Sequence, residues 1–333
     1  RHFGGASSLC ERLRWSTGSA DNRRNLSIEQ ERCPSEILIF TAQCFYFLIG
    51  ELIMRYAVCN ELFGQMPFSK ACSLAAQAGF RGVEIAPFSV FEDFSQLTIK
   101  ENITEIRSIL EKENLEFVGF HWLLAKPEGL HIASPDLVIR RRTWDHMRRL
   151  LECASALGGG KLVLGSPRQR STPPGMTSDE VKNILREELA RIAGFAASCN
   201  AMILVEPLSS DQCDVVTSLD EAVNIVKDID QASIRTMFDF HNAREETKPA
   251  HILIEEYWPY IAHIHINEKE GGAPGTGTTN FVPSFRTLLN HGYSGWLSME
   301  IFDVPKKPDL LLHTAISAMR KAEMSALLTG GVD

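Results

Sequence analysis

The sequence lacks the features that mark several functional classes. None of its eight cysteines forms a CxxC pair, so there is no structural zinc motif, and reduced thiols in the cytoplasm are expected. The apolar run at residues 37–49 is interrupted by Gln43 and is shorter than the roughly 20 residues of a membrane span. Acidic residues outnumber basic ones by 42 to 34, giving a formal net charge of -8, whereas a phosphate backbone is bound by clustered Lys and Arg. We therefore predict a cytoplasmic protein with no membrane and no nucleic-acid partner.

Residues 1–53 differ from the rest of the chain. They are irregular, and their apolar run is preceded by CPSE and followed by GELIM, a poor match to a signal peptide. A transit peptide remains an alternative, although acidic residues such as Glu11 and Asp21 count against it. Met54 directly precedes the first predicted strand, so we expect the functional protein to begin there and residues 1–53 to form an extension outside the active site. Residues 328–333 are expected to form a C-terminal tail.

From Tyr56 onward, short apolar runs alternate with longer amphipathic ones, which is the pattern of βα units around a parallel sheet. The predicted strands are residues 56–59, 82–86, 116–120, 161–165, 202–206, 235–240, 261–266 and 296–300. The predicted helices follow them at about 67–78, 98–113, 135–157, 178–198, 218–229, 249–257, 281–290 and 308–326. A doubly wound sheet would have fewer units and a Gly-rich first turn, which NELFGQ does not provide. We predict an α/β fold, a single-domain (β/α)₈ TIM barrel over residues 54–327.

Residues that bind metals stand at the ends of the last four predicted strands: Glu206, Asp239, His265 and Glu300. Because catalytic groups in such a barrel come from the C-terminal strand ends, these side chains are expected to share one mouth. A single acidic residue there is usually a helix cap or a salt-bridge partner, but four in register predict a common site. Three oxygen donors and one nitrogen suit one divalent ion, Mn²⁺ or Mg²⁺, with Co²⁺ or Zn²⁺ as alternatives.

The segments LVEPL, MFDFHNAREE, IAHIHINEKEGGAPGTG and GYSGWLSMEIFD contain these four residues. Together with GFRGVEI (79–85), they resemble the xylose isomerase-like superfamily of sugar isomerases and epimerases, in particular its ketose 3-epimerase and hydroxypyruvate isomerase branches. The resemblance covers residues 55–325. It implies that the four residues bind one divalent metal, that Glu206 and Glu300 are also the acid/base pair, and that His241 contacts the substrate.

The chemistry of the residues agrees with that resemblance. A metal that chelates a carbonyl oxygen and the adjacent hydroxyl acidifies the neighbouring C–H, and a carboxylate can then remove that proton to give an enediolate. Proton return from the opposite face gives epimerisation, and proton return at the neighbouring carbon gives isomerisation. We therefore predict an isomerase that acts on a small carbohydrate and forms a homo-oligomer, a dimer or a tetramer. The further predicted substrate contacts are His121, Trp122, Gln212 and Glu268.

The chain departs from the family pattern near the substrate. Ketose 3-epimerases usually carry an Arg and a Glu where this chain has Ser210 and Gln212, so the sugar and its phosphorylation state stay open. Arg168 and Arg170, after the fourth strand, are expected to be solvated surface residues rather than ligands of a phosphate or carboxylate. Glu84 is expected to point into the mouth or to pair with a lysine, and His263 is expected to support His265 from behind.

Three alternative activities use the same kind of barrel or nearly the same residues. A dehydratase acting on a cyclic polyol ketone would use nearly the same residues, because elimination and enolisation share the first proton abstraction. A DNA-repair endonuclease of the same superfamily would need a multinuclear zinc site with more histidines and a basic rim, neither of which is evident. A non-catalytic binding protein is disfavoured because all four metal-binding residues are present.

Overall fold

Eight parallel strands close into a barrel in the order of the sequence, in a computed structural model that describes residues 54–92 and 96–329. The strands are β1 (Arg55–Cys59), β2 (Gly82–Ile85), β3 (Glu116–Phe120), β4 (Gly160–Leu164), β5 (Ala201–Val205), β6 (Ile234–Asp239), β7 (Ile261–Ile266) and β8 (Trp296–Met299). Each strand pairs with the next, and β8 pairs with β1 to close the ring. The predicted TIM barrel is confirmed, and each predicted strand end lies within one residue of the observed one.

A helix follows each strand and packs on the outside of the barrel. The helices are α1 (Phe68–Ala78), α2 (Gln96–Glu113), α3 (Leu137–Ala156), α4 (Ser178–Ser198), α5 (Leu219–Ile229), α6 (Ala250–Tyr257), α7 (Val282–Asn290) and α8 (Pro308–Thr329). Local sequence explains their limits: Thr177 and Glu180 form a capping box at the start of α4, and Gly79 ends α1 with a φ of 106°. None of the helices within the described residues is both long and apolar enough to cross a membrane.

The largest differences from the sequence prediction are at the end of the last helix and in the segment after β4. Helix α8 continues to Thr329, past the predicted end at residue 326 and into the predicted tail, because Ala322 and Ala326 remain buried along its inner face. A four-residue helix, Pro167–Arg170, was predicted as loop. The expectation for residues 1–53 concerns a segment outside the described part of the chain.

Alternation along β5 and β6 places an apolar layer of the barrel interior below a polar mouth. On β5 and β6, Leu204 and Met237 are completely buried and stand two residues before Glu206 and Asp239, respectively. Since side chains two apart on a strand point to the same face, the apolar layer and the acidic residues both face the barrel interior. The predicted site therefore lies at the C-terminal end of the barrel, directly above a layer of packed apolar side chains.

Candidate metal centre and active site

The structure brings the four predicted ligands together at the mouth of the barrel. One ligand atom from each of Glu206, Asp239, His265 and Glu300 lies within 4.8 Å of the other three, and all four residues are buried. The His265 Nδ1 atom is 3.0 Å from Glu300 Oε2, 3.6 Å from Asp239 Oδ2 and 3.9 Å from Glu206 Oε1. Strand register explains the convergence, because Asp239 pairs with His265 and His265 pairs with Ser298, two residues before Glu300.

The charges and burial of this cluster are those of a possible cation site. Burial, followed by the charge of Glu300, raises the pKa of Glu206 well above its usual range. Burial alone would lower the pKa of His265, but the negative charges of Glu84 and Glu300 outweigh it and raise that pKa well above the ordinary value. Three carboxylates and one imidazole nitrogen form a donor set that suits a hard or borderline divalent ion, which would relieve this repulsion. The residues therefore fit the metal that the sequence predicted.

Behind His265, the barrel interior contains a second polar group of residues. Glu84, completely buried on β2, lies 2.9 Å from His265 Nε2 through Oε1 and 2.7 Å from His263 Nε2 through Oε2. Burial would raise the pKa of Glu84, but the two imidazoles hold it well below its usual range, whereas burial lowers the pKa of His263 to about 4. Glu84 thus bonds to two histidines rather than to a lysine, since the amine of Lys161 donates to the Ala262 carbonyl oxygen.

Two buried asparagines that the sequence analysis did not single out orient the carboxylates. Asn242 donates from Nδ2 to Glu206 Oε1 over 3.0 Å, and its backbone N–H donates to Asp239 Oδ1 over 2.7 Å. Asn267 donates from Nδ2 to the other oxygen of Asp239, Oδ2, over 3.1 Å. Their positions in the sequence could have identified them. Both residues lie within three positions of the ends of β6 and β7, and functional groups of such a barrel lie at the C-terminal strand ends.

Two residues of the segment after β4, Gly165 and Arg170, lie against Glu206. Arg170 is completely buried, and its Nη1 donates to the carbonyl oxygens of both Leu164 and Glu206 over 2.8 Å. The expectation of a solvated Arg170 was therefore wrong, because the short helix after β4 turns this side chain inward against two strand ends, while Arg168 is exposed as expected. The absence of a side chain at Gly165 leaves room for the Glu206 carboxylate, since a Cβ at position 165 would lie 2.2 Å from Glu206 Oε2.

An open cleft lies beside Glu206 and Glu300 and encloses about 320 Å³ of space, with the solvent at its mouth included. Its lining residues are His121, Trp122, Gly165, Ser166, Pro167, Glu206, Leu208, Gln212, Asn242, Glu300 and Phe302. Three predicted substrate contacts, His121, Trp122 and Gln212, are thus on its wall. Gln212 donates to Asn242 Oδ1 over 2.9 Å, and His121 Nε2 lies 2.5 Å from Glu61 Oε2.

The other two predicted contacts, His241 and Glu268, are not among the residues that line this cavity. His241 Nδ1 is 2.6 Å from the Lys269 carbonyl oxygen, and its Nε2 is 3.0 Å from Arg244 Nη1. Glu268 accepts the backbone N–H groups of Gly275 and Thr279 over 2.8 and 2.9 Å. In this structure both side chains hold the Gly-rich loop after β7 in place, and a direct role at the substrate stays a prediction.

Comparison with known proteins identifies the family of the chain. Residues 72–322 match the sequence model of the family described as xylose isomerase-like TIM barrel. The chain belongs to this family. The family membership confirms the resemblance inferred from the strand-end motifs.

Several relatives of the chain are named as isomerases or epimerases, the enzyme class predicted from the sequence. The chain is similar to the hydroxypyruvate isomerase of Escherichia coli, with 25% identity over 72% of this chain and 90% of the relative. It is also similar to the D-psicose 3-epimerase of Ruminiclostridium cellulolyticum, with 24% identity over 68% of this chain and 75% of the relative. Among solved structures, a 3-keto-D-glucoside 4-epimerase from E. coli superposes with a TM-score of 0.69 and 19% identity, over 80% of this chain and 99% of the other, which supports the fold.

Proposed function

We propose that this protein is a divalent-metal-dependent sugar isomerase or epimerase that moves a proton at a carbon next to a carbonyl. The observation that carries the proposal is the buried convergence of Glu206, Asp239, His265 and Glu300, with two of these carboxylates also on the cavity wall. The relatives named above support the reaction class, since they are sugar epimerases and a hydroxypyruvate isomerase.

The proposed metal ligands are the four clustered residues, and Mn²⁺ or Mg²⁺ is the proposed ion because three of the four donors are carboxylate oxygens. When bound, such an ion polarises the substrate carbonyl and makes the adjacent C–H more acidic. Asn242 and Asn267 hold Glu206 and Asp239 by donating hydrogen bonds to their oxygens, so that these carboxylates need little rearrangement on binding.

Glu206 and Glu300 are the proposed proton-transfer pair. Both contribute to the cavity wall, and they come from strand ends on β5 and β8, so a substrate carbon in the cavity can be approached by two separate carboxylates. One glutamate, in its carboxylate form, removes the proton and keeps it, and the other glutamate, which must start in its protonated form, gives its own proton to the same or the neighbouring carbon.

The cavity favours an uncharged sugar over a phosphorylated sugar or a keto acid. Its lining contains the amides of Gln212 and Asn242 and the imidazole of His121, and none of its eleven residues is a lysine or an arginine. Amides and imidazoles match hydroxyl groups in hydrogen bonding, whereas a phosphate or carboxylate group away from the metal would meet no cationic side chain among these residues.

The proposal includes a cytoplasmic location and a homo-oligomeric assembly. The five cysteines within the described residues are free and buried, which agrees with a reducing compartment such as the cytoplasm. A dimer or tetramer is the expected assembly, and size-exclusion chromatography with light scattering would measure it.

Turnover with a substrate panel tests the function. The protein, stripped of metal and then loaded with Mn²⁺ or Mg²⁺, is offered free ketoses, their phosphates, hydroxypyruvate and a cyclic polyol ketone. We expect metal-dependent conversion of a free ketose that is abolished in Glu206→Gln and in Glu300→Gln. Water loss from the cyclic ketone, without isomerisation of any sugar, would establish the dehydratase instead. Preference for the phosphates or for hydroxypyruvate would contradict the uncharged substrate.

A further inference from the structure

Glu84 lies beneath the candidate metal centre and touches it through one ligand. The side chain is completely buried, and both of its oxygens face ring nitrogens: Oε1 is 2.9 Å from His265 Nε2, and Oε2 is 2.7 Å from His263 Nε2. Neither histidine is exposed to solvent. The three side chains therefore form a hydrogen-bonded unit inside the barrel, with Cys59 Sγ 4.0 Å from His265 Nε2 and His121 Nδ1 3.8 Å from Glu84 Oε1.

The chemistry of this unit determines which nitrogen carries each hydrogen. An ionised carboxylate accepts hydrogen bonds and has none to donate, so the nitrogen that faces it must carry the hydrogen. A neutral imidazole has one N–H and one lone pair. With the hydrogen of His265 on Nε2, the lone pair is on Nδ1, the atom that lies 3.0 Å from Glu300 Oε2 and 3.6 Å from Asp239 Oδ2.

We propose that Glu84 is a positioning residue that fixes the tautomer and orientation of His265, so that Nδ1 is always available to a divalent metal, and that His263 holds Glu84 in place for this purpose. The inference rests on the proposed metal site. His263 Nε2 donates to the second oxygen of Glu84, which stops the carboxylate from rotating away from His265. Outer partners of this kind typically change metal affinity by about 10- to 100-fold when they are removed.

Glu84→Gln is the sharpest perturbation because it keeps the size of the side chain. An amide has one acceptor oxygen and one donor NH₂, so it cannot accept from both ring nitrogens at once. With the amide NH₂ towards His263, that ring must turn its Nε2 lone pair to the amide and carry its hydrogen on Nδ1, and in either orientation of the amide the negative charge beside His265 Nε2 is lost. Ser298→Ala is the matched control, because Ser298 is equally buried, pairs with His265 along β8, and its hydroxyl has no hydrogen-bond partner within the described residues.

The test is a titration of the metal-free proteins with Mn²⁺ alone, in which free Mn²⁺ is followed by electron paramagnetic resonance. We expect Glu84→Gln to weaken Mn²⁺ binding by about 10- to 100-fold and Ser298→Ala to leave it within about 3-fold. Circular dichroism melting shows whether each variant is folded. Unchanged Mn²⁺ affinity in folded Glu84→Gln would overturn the role of Glu84 while leaving the metal site intact. Absence of Mn²⁺ binding in the unmutated protein would overturn the proposed function and this inference together.

A second measurement needs no variant. In the unmutated protein loaded with Mg²⁺, ¹⁵N-labelled histidine NMR reports which ring nitrogen of His265 carries the hydrogen. The expected result is a hydrogen on Nε2 of both His265 and His263. A hydrogen on Nδ1 of His265 in the metal-loaded protein would refute the inference.

Discussion

Replacing Gly165 with alanine should displace the Glu206 carboxylate without unfolding the barrel. The added Cβ would lie 2.2 Å from Glu206 Oε2, closer than the 3.0 Å that real contacts essentially never fall below. The carboxylate must therefore move by about 1 Å, and a misplacement of that size at a reacting group can lower the rate by about 100-fold. Folding should be affected by less than about 1 kcal/mol, because Gly165 has no left-handed φ and the clashing atom ends a flexible side chain.

The assay compares kcat/KM with the free energy of unfolding for Gly165→Ala and a control, Gly194→Ala. Gly194 lies within α4, and a Cβ there would meet no atom within 4 Å. The control should therefore keep its activity and gain up to about 1 kcal/mol in stability from helix propensity. Full activity in Gly165→Ala would refute the placement of Glu206 against the β4 loop. A large loss of stability would instead show that the clash is relieved by the backbone.

Three further predictions concern other parts of the molecule. Asn242→Ala removes the hydrogen bond to Glu206 Oε1 and should lower kcat/KM by roughly 10- to 100-fold, measured by steady-state kinetics; unchanged kinetics would count against this orientation. Glu268→Gln replaces an acceptor of two loop amides with a group that accepts less well, so hydrogen exchange at residues 271–279 should accelerate while strand amides stay protected. Burial lowers the pKa of His146 to about 4, below its usual 6.5, so the unfolded chain binds the proton first and stability falls as pH drops from 6.5 to 4. His146→Gln should flatten that dependence by up to about 3 kcal/mol in urea unfolding at both pH values, and an unchanged slope would show that other groups cause it.

The sequence predicted those features of the fold and the site that depend on the local pattern of apolar and polar residues. Alternating apolar runs predicted all eight strands, and the strand ends then identified Glu206 and Asp239 without knowledge of their neighbours in space. Topology turned these separate positions into one site, because parallel strands in a closed barrel bring their C-terminal ends to the same side.

Contacts across the barrel could not be predicted in the same way. Glu84 meets His265 because β2 and β7 face each other through the interior, and the residues are 181 positions apart. The pattern of residues within either strand does not show that these two side chains come into contact. Arg170 shows the same limit, since its burial depends on a short helix that turns it towards the backbone of β5, and the local composition of the loop is that of a solvated segment.

The most direct test of the central claim is solvent-deuterium incorporation by the metal-loaded protein. The protein is incubated in D₂O with the ketose that the substrate panel identifies, and NMR locates the labelled carbon. The account predicts metal-dependent deuterium at a carbon next to the carbonyl, lost in both Glu206→Gln and Glu300→Gln. Turnover without incorporation at that carbon would point to transfer that is shielded from solvent, as for a hydride. Incorporation that persists in both variants would contradict the assignment of these two glutamates as the proton-transfer pair.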